Sequence, residues 1–143
     1  MSSAAQPDVV PARPSILVVE DDPDALDLLA TILEDADYEV VRASNGLQAL
    51  GQLAERRGRC DLILLDLMMP IMNGWDFRKK QREIPALAQI PVVLMSAGAH
   101  LSAASDGLDA AGSVTKPVDT EDLMAIVRRH CRGAVAQGRP ARE

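Results

Sequence analysis

The sequence has few aromatic residues, few cysteines and no long hydrophobic run. Tyr38, Trp75 and Phe77 are its only aromatic residues. The two cysteines, Cys60 and Cys131, are far apart and lack the spacing of a metal site, so we expect reduced thiols rather than a disulfide framework. No apolar stretch approaches the roughly 20 residues that a membrane-spanning helix needs. These shortages argue against a disulfide-stabilised scaffold and against an integral membrane protein.

The chain also lacks an excess of positive charge. Its 15 basic and 21 acidic residues give a formal net charge of −6, which argues against non-specific binding to nucleic acid or to an anionic membrane. Residues 1–14 have neither the basic start nor the apolar core of a signal peptide. We therefore expect a cytoplasmic protein with a disordered lead-in over 1–14. One folded domain is expected over 15–132, followed by a flexible tail over 133–143 and no output domain.

Short apolar runs alternate with amphipathic patterns along the expected domain. Five strands are predicted, over residues 16–19, 38–43, 62–65, 92–95 and 113–116. Five helices are predicted, over residues 23–35, 47–57, 75–83, 98–112 and 120–130. Asp22 and Thr120 are the expected caps of the first and last helices, and Leu47 and Ala54 are expected to face inward from the second. This alternation predicts an α/β fold, a doubly wound parallel sheet with helices on both faces.

Polar residues stand where four of the predicted strands end. They are Glu20 and Asp21 after the first strand, Asp66 after the third, Ser96 after the fourth and Lys116 at the end of the fifth. Because the carboxyl ends of parallel strands share one edge of the sheet, we expect these side chains to converge. Converging carboxylates raise one another's pKa, and a hard divalent cation relieves that repulsion. A lysine and a hydroxyl nearby suit a phosphoryl group placed on a carboxylate.

This pattern resembles the receiver domain of two-component response regulators. The residues that carry the resemblance are ILVVEDD over 16–22, LLDLMMP over 64–70 with Gly74, Ser96-Ala97 and Lys116-Pro117. The resemblance covers about residues 15–132. It implies a flavodoxin-like, CheY-like fold, with five parallel strands in the order 2-1-3-4-5 and five helices.

The resemblance also implies a phosphorylation site that depends on a metal ion. Asp66 is expected to accept the phosphoryl group from a histidine kinase or a histidine phosphotransfer protein. Mg²⁺ is expected to bind Glu20, Asp21, Asp66 and the backbone carbonyl of Met68. The domain then catalyses only its own phosphorylation and dephosphorylation and is otherwise not an enzyme.

The two remaining motifs of the resemblance surround the phosphoryl group. Ser96 and Lys116 are expected to contact its oxygens, and the Lys116–Pro117 peptide bond is expected to be cis. The sequence departs from the family at Ser113, where a Tyr or Phe usually stands three residues before the lysine. Because Ser113 has no ring to move, we predict weak coupling between Asp66 and the surface around that strand.

A second apolar stripe on the first helix is a candidate docking surface for the phosphodonor. Ala25, Leu28 and Ile32 follow the spacing i, i+3, i+7 beside the expected core face. The same stripe also fits a wide core face. We further expect a monomer or a weak dimer that binds neither nucleic acid nor membrane, with a downstream protein partner that the sequence does not identify.

Two other functions fit parts of the pattern. Taken singly, each strand-end residue also fits a helix cap, a turn or a bond to the backbone. As a separate alternative, the domain is a scaffold that binds partners without phosphorylation, which nothing in the sequence excludes. A phosphatase that forms an aspartyl phosphate also uses a strand-end aspartate. Such an enzyme needs a second acid two residues later, where this chain has Met68.

Overall fold

The computed structural model describes residues 13–97 and 108–131. The strands within them are β1 (Ser15–Val19), β2 (Glu39–Ala43), β3 (Leu62–Asp66), β4 (Val92–Ser96) and β5 (Gly112–Thr115). The helices are α1 (Pro23–Asp35), α2 (Gly46–Glu55), α3 (Gly74–Glu83), α4 (Pro85–Ala88) and α5 (Thr120–His130). Of these described helices the longest, α1, has 13 residues, which is too short to cross a bilayer.

The five strands form one parallel sheet in the order β2-β1-β3-β4-β5. Both the doubly wound α/β fold and the strand order 2-1-3-4-5 are therefore confirmed. The central strands β1, β3 and β4 are buried along their whole length, as expected for apolar runs covered on both faces. Their carboxyl ends reach the same edge of the sheet, which we call the carboxyl edge.

Two apolar layers flank the sheet. Leu33 from α1 and Val127 from α5 pack against one face, and Leu53 from α2 and Phe77 from α3 pack against the other. All four side chains are buried. Truncating such a side chain to alanine typically costs about 2–5 kcal/mol, so both layers hold the carboxyl edge in place.

Helix ends follow the local capping chemistry, with one correction to the sequence prediction. The Asp22 carboxylate accepts a hydrogen bond from the Asp24 N–H (3.2 Å), with Pro23 as the first helical residue, so this predicted cap is confirmed. The prediction of Thr120 as a cap is wrong. The Asp119 carboxylate accepts from the Asp122 N–H (3.1 Å), because Asp119 is the last residue with extended backbone.

Helix α2 is rotated relative to its prediction. Leu47 is 57% exposed and Ala54 is also exposed, and the buried face consists of Gly46, Ala49 and Leu53. A Cβ on Gly46 would lie 2.7 Å from Met72 Cγ, so the first turn packs closely against the chain that follows β3. This contact with a distant segment decides which face is buried, and helical spacing alone does not encode it.

The connections outside the predicted elements complete the fold. The four-residue helix α4 was not predicted, and Pro85 both follows α3 and opens this short helix. Of the helix predicted over 98–112, residues 98–107 lie outside the described residues, and Gly112 already belongs to β5. The predicted tail and most of the predicted lead-in also lie outside them. Within the lead-in, the Pro14 carbonyl accepts a hydrogen bond from the Glu39 N–H (2.9 Å).

Candidate functional site

Three carboxylates converge at the carboxyl edge. Glu20 and Asp21 directly follow β1, and Asp66 is the last residue of the neighbouring strand β3. One carboxylate oxygen from each lies within 4.8 Å of the others. Glu20 and Asp66 are only 1% and 3% exposed, whereas Asp21 is open to solvent. Two of the three acids are therefore buried, and the third, Asp21, faces solvent.

Backbone amides orient the two buried acids. The Asp22 N–H donates a hydrogen bond to Glu20 Oε2 (3.1 Å), and the Met68 N–H donates to Asp66 Oδ1 (3.3 Å). Each donor is two residues after its acceptor, so the turn at each strand end fixes its own carboxylate. These bonds leave the second oxygen of each acid directed to other partners.

Lys116 supplies the positive charge of the cluster. Its Nζ lies 2.7 Å from Glu20 Oε1 and 3.3 Å from Asp66 Oδ2. Burial opposes its charged form, but the hydrogen bond to Glu20 and the charge of Asp66 outweigh burial and raise the pKa of Lys116. The adjoining Lys116–Pro117 peptide bond is cis.

The pKa of Asp66 is raised from its ordinary value of 3.8 to about 7. Burial is the main cause, and the nearby charge of Glu20 adds to it. Lys116 and the Met68 N–H pull the pKa in the opposite direction without cancelling the shift. The protein alone therefore does not fully compensate an ionised Asp66, which is the electrostatic situation that a bound cation corrects.

Ser96 stands at the end of the strand next to this cluster. It ends β4, next to the strand that carries Asp66, and is 2% exposed. Its Oγ has no hydrogen-bond partner among the described residues. A buried hydroxyl without a partner costs about 1–3 kcal/mol, so this group is available to a ligand that enters the site. The Lys116 N–H donates to the Ser96 carbonyl (2.9 Å) and holds the two residues side by side.

The loop from Leu67 to Asn73 connects Asp66 to α3, and its shape was not predicted from the sequence. Gly74 begins α3 so close to β3 that a Cβ there would lie 2.8 Å from the Asp66 carbonyl oxygen. Ile71 has φ = 69°, in the left-handed region, at a cost of roughly 1–2 kcal/mol for a residue with a Cβ. Met68 and Ile71 are 57% and 80% exposed, respectively. No local pattern predicts the strained backbone of Ile71 or the exposure of these two apolar side chains.

A buried arginine fastens α3 to the chain before β5, and the sequence analysis also missed it. Arg78 Nε donates to the Leu108 carbonyl (3.0 Å), and its Nη2 donates to the Asp109 carbonyl (3.0 Å). Its Nη1 donates to Gln81 Oε1 (2.8 Å). Burial and the neighbouring Arg82 lower the pKa of Arg78. The sequence predicts an exposed side chain for a basic residue in a polar helix. Only the folded structure, in which Arg78 is buried, reveals this role.

The stripe predicted on α1 is only partly open. Leu28 is 61% exposed, whereas Ala25 is half-buried and Ile32 packs partly against the core. Leu28 is therefore the member of the stripe that is most available to a partner.

On β5, Ser113 is half-buried. It lines a groove of about 520 Å³ with Gly112, Val114 and residues of α5, which we call the β5–α5 groove.

The donor set fits a hard cation and a phosphoryl group. Glu20, Asp21 and Asp66 offer only oxygen ligands, which Mg²⁺ and Ca²⁺ prefer, and none of the described histidines or cysteines joins them. Lys116 and Ser96 add an ammonium and a hydroxyl on the neighbouring strands. The structure therefore brings together the four charged side chains predicted at the strand ends and places Ser96 at the end of the strand next to Asp66.

A family comparison matches this chain over most of its length. The sequence profile of the response regulator receiver domain matches residues 16–128. The chain is 36% identical over 117 residues to the DNA-binding dual master transcriptional regulator RpaA of Synechocystis, covering 80% of this chain and 48% of that protein. It is 36% identical over 122 residues to the DNA-binding response regulator MtrA of Mycolicibacterium smegmatis, covering 84% and 51%. The chain thus spans about half the length of these two regulators.

Solved structures agree with the sequence comparisons. The chemotaxis protein CheY4 of Vibrio cholerae superposes with a TM-score of 0.75 at 27% identity, over 83% of this chain and 99% of that one. The signal receiver domain of a signal transduction histidine kinase from Syntrophus aciditrophicus superposes with a TM-score of 0.76 at 32% identity, over 84% and 91%.

Proposed function

This chain belongs to the response regulator receiver domain family of two-component systems, and we propose that its Asp66 carboxylate accepts a phosphoryl group. The single observation that carries the proposal is the convergence of Asp66 with two further acids and Lys116 at the carboxyl edge. The donor is a histidine kinase or a histidine phosphotransfer protein. The domain acts in the cytoplasm as a monomer or weak dimer and catalyses only its own phosphorylation and dephosphorylation.

Glu20, Asp21 and Asp66 are the side chains proposed to hold Mg²⁺, together with the backbone carbonyl of Met68. The three clustered carboxylates support this choice, as does the raised pKa of Asp66. When bound, the cation supplies positive charge that keeps Asp66 ionised and offsets the charge of the phosphoryl oxygens.

The proposed reaction is a displacement at phosphorus. An oxygen of Asp66 forms a bond to phosphorus as the phosphorus–nitrogen bond of the donor phosphohistidine breaks. The electron pair of that bond remains on the imidazole nitrogen, and Asp66 becomes an acyl phosphate. The reaction needs no other co-reactant, so the protein contributes position and charge.

Lys116 and Ser96 stabilise the transferred group. The Lys116 ammonium already lies 3.3 Å from Asp66, within reach of oxygens added to that carboxylate. The Ser96 hydroxyl, unpartnered among the described residues, gains an acceptor when a phosphoryl oxygen arrives. Both contacts are stronger with the phosphorylated state than with the free acid, so they favour transfer.

The phosphodonor is proposed to dock on α1, through Leu28. This side chain is 61% exposed on the helix that begins at Pro23, two residues after Asp21. A donor histidine must come close to Asp66, and α1 borders that approach. Ala25 and Ile32 lie on the same stripe but are less accessible.

The proposed output is a phosphoryl relay or a contact made directly at the loops around Asp66. Ser113 supports this choice, because a hydroxymethyl group cannot turn and refill a space as an aromatic ring does. We expect phosphorylation to change partner affinity at the β5–α5 groove by less than about tenfold, or 1.4 kcal/mol.

Intact mass measurement after incubation with acetyl phosphate and Mg²⁺ tests the proposed function. Wild-type protein is expected to gain the mass of one phosphoryl group, and Asp66→Asn and a chelator-treated sample are expected to gain nothing. Asp76→Asn is the matched control, since Asp76 is an exposed aspartate on α3 outside the cluster. Wild type without a mass gain supports the scaffold function instead, and an unchanged gain in Asp66→Asn rejects the assignment of the acceptor.

A further inference from the structure

Helix α1 exposes one row of side chains that does not contribute to the core. Asp24, Leu28, Thr31 and Asp35 follow the spacing i, i+4, i+7, i+11, which places them along one side of the helix. All four are exposed, Leu28 by 61%. We call this row the acidic ridge. An acid stands at each end of it, about 16 Å apart along the helix axis, with Leu28 between them.

The acidic ridge lies in a segment whose charges all have one sign. Residues 14–41 hold nine acidic residues and no lysine, arginine or histidine. Arg42, which follows this segment, forms ion pairs with two other acids of α1, Asp27 and Glu34. The two acids of the ridge form no ion pair with any residue that the structure describes. Their charges therefore remain available to a partner.

The helix dipole gives a second reason to expect a partner at the ridge. The carboxyl end of a helix carries partial negative charge, so an acid there is unfavourable. Asp35 is the last residue of α1, and the last turn contains no basic residue. Asp24, by contrast, lies in the first turn, where the dipole favours an acid. Asp35 thus costs stability in the domain alone, and a cation on a partner offsets that cost.

The position of the ridge relates it to the proposed phosphotransfer. Its first member, Asp24, is three residues after Asp21 of the acid cluster. Its apolar member, Leu28, is the residue on which the phosphodonor is proposed to dock. A protein that reaches Asp66 along α1 therefore lies close to an acid on each side of Leu28.

We propose that the surface of the phosphodonor that faces α1 is a basic amphipathic helix. Its apolar residues cover Leu28, and lysine or arginine side chains on either side of them pair with Asp24 and Asp35. The formal net charge of −6 attracts such a partner, whereas it repels an acidic helix, nucleic acid or an anionic membrane. The inference rests on the proposed function and adds the chemical class of the donor surface.

Two model peptides test this charge preference on the full chain. Each has about 18 residues with leucines at i, i+3, i+4 and i+7, flanked by lysines in one and by glutamates in the other. In ¹⁵N NMR titrations the lysine peptide is expected to shift the amide signals of Asp24, Leu28 and Asp35. It is expected to bind at least about tenfold more tightly than the glutamate peptide. Equal binding of the two peptides, shifts confined to residues outside α1, or no shifts up to about 1 mM lysine peptide overturns the proposal.

Neutral variants locate the charges that the lysine peptide recognises. Asp24→Asn/Asp35→Asn removes both acids of the ridge and is expected to lower affinity at least about threefold, a modest loss because surface ion pairs are weak. Asp76→Asn/Glu83→Gln makes the same change in net charge on α3, which packs against the other face of the sheet. This control is expected to keep affinity within about 1.5-fold of wild type, because salt screens distant charges. Equal losses in the two variants would show a general charge effect and overturn the proposal.

Asp35→Asn alone separates a binding role from a folding role. Because the helix dipole opposes an acid at this end, the variant is expected to melt at the same temperature as wild type or higher, while its affinity for the lysine peptide falls. A lower melting temperature would show that Asp35 serves the fold. Unchanged affinity in a stable variant would show that Asp35 does not contact the peptide, and either outcome rejects the role given to this residue.

Phosphohistidine versions of the two peptides test the ridge in phosphotransfer itself. Each carries a histidine near both ends that is phosphorylated chemically with phosphoramidate, and intact mass follows transfer to the protein. The lysine version is expected to transfer at least about tenfold faster than the glutamate version to wild type, whereas acetyl phosphate labels wild type and Asp24→Asn/Asp35→Asn equally. Wild type that acetyl phosphate fails to label rejects the proposed function. Labelled protein that accepts phosphoryl groups equally from both peptides rejects only the inference about the donor surface.

Discussion

Replacing Asp66 by asparagine is expected to stabilise the metal-free protein, and increasingly so as the pH rises. The folded state holds the Asp66 proton with a pKa of about 7, against an ordinary value of 3.8. Between these values the folded protein keeps a proton that the unfolded chain releases, so the stability of wild type falls as the pH rises. Above pH 7 both states are ionised and the loss is complete.

The size of this loss follows from the shift in pKa. A shift of about three pH units at 1.36 kcal/mol per unit amounts to about 4 kcal/mol. Asparagine resembles the protonated acid, since it keeps an oxygen that can accept from the Met68 N–H (3.3 Å) but carries no charge. The variant also loses the contact with Lys116, so the expected gain above pH 7 is smaller, about 2–3 kcal/mol.

Urea unfolding followed by circular dichroism measures this effect at pH 5, 6, 7 and 8 in the presence of a chelator. The advantage of Asp66→Asn over wild type is expected to grow with pH and to level off above pH 7. The difference in stability between Asp76→Asn and wild type is expected to be the same at all four pH values. If the free energies of unfolding of Asp66→Asn and wild type change in parallel with pH, or if Asp66→Asn is the less stable protein at pH 8, the proposed cost of ionising Asp66 is refuted.

Four further predictions follow from the same site. First, because a proton on Asp66 competes with Mg²⁺, calorimetry is expected to show Mg²⁺ affinity falling up to about tenfold per pH unit below pH 7, and a flat profile would contradict this. Second, Ser96→Ala removes a buried hydroxyl that lacks a described partner, so urea unfolding is expected to show stability unchanged or raised by about 1 kcal/mol, while intact mass shows slower phosphorylation by acetyl phosphate. Third, Leu28→Ala is expected to slow transfer from the cognate histidine donor and to leave acetyl phosphate labelling unchanged; equal losses with both donors would indicate a folding role. Fourth, a partner that binds the β5–α5 groove around Ser113 is expected to have affinities for phosphorylated and unmodified protein that differ by less than about tenfold. A larger ratio of affinities, or a phosphorylation-driven dimer through that groove, would reject weak coupling.

The sequence predicts the strands and the acid cluster well because both follow from local patterns. Buried strands such as β3 require an unbroken apolar run, and a carboxylate can follow such a run only where the chain leaves the sheet. Asp66 therefore identifies both the end of its strand and the edge where it lies. The position of Lys116 follows in the same way, because the sheet is parallel throughout.

The sequence does not predict features that depend on contacts between distant segments. Leu47 faces solvent because Gly46 packs against Met72, which lies on another connection. The sequence does not predict a left-handed backbone at Ile71, because a β-branched residue rarely adopts that conformation. Asp119 and Thr120 are both good cap residues, so the choice between them rests on backbone geometry that only the folded chain fixes.

The fastening of Arg78 determines where the connection between β4 and β5 is tethered. One end of that connection is held by the sheet at Ser96, and the other by the planar guanidinium at Leu108 and Asp109. The contribution of the arginine is one of geometry, because its planar guanidinium holds two successive carbonyls in fixed directions. Lysine, with its donors on a single nitrogen, cannot reach both carbonyls and Gln81 along one plane, so even Arg78→Lys is expected to loosen the attachment of Leu108 and Asp109 to α3.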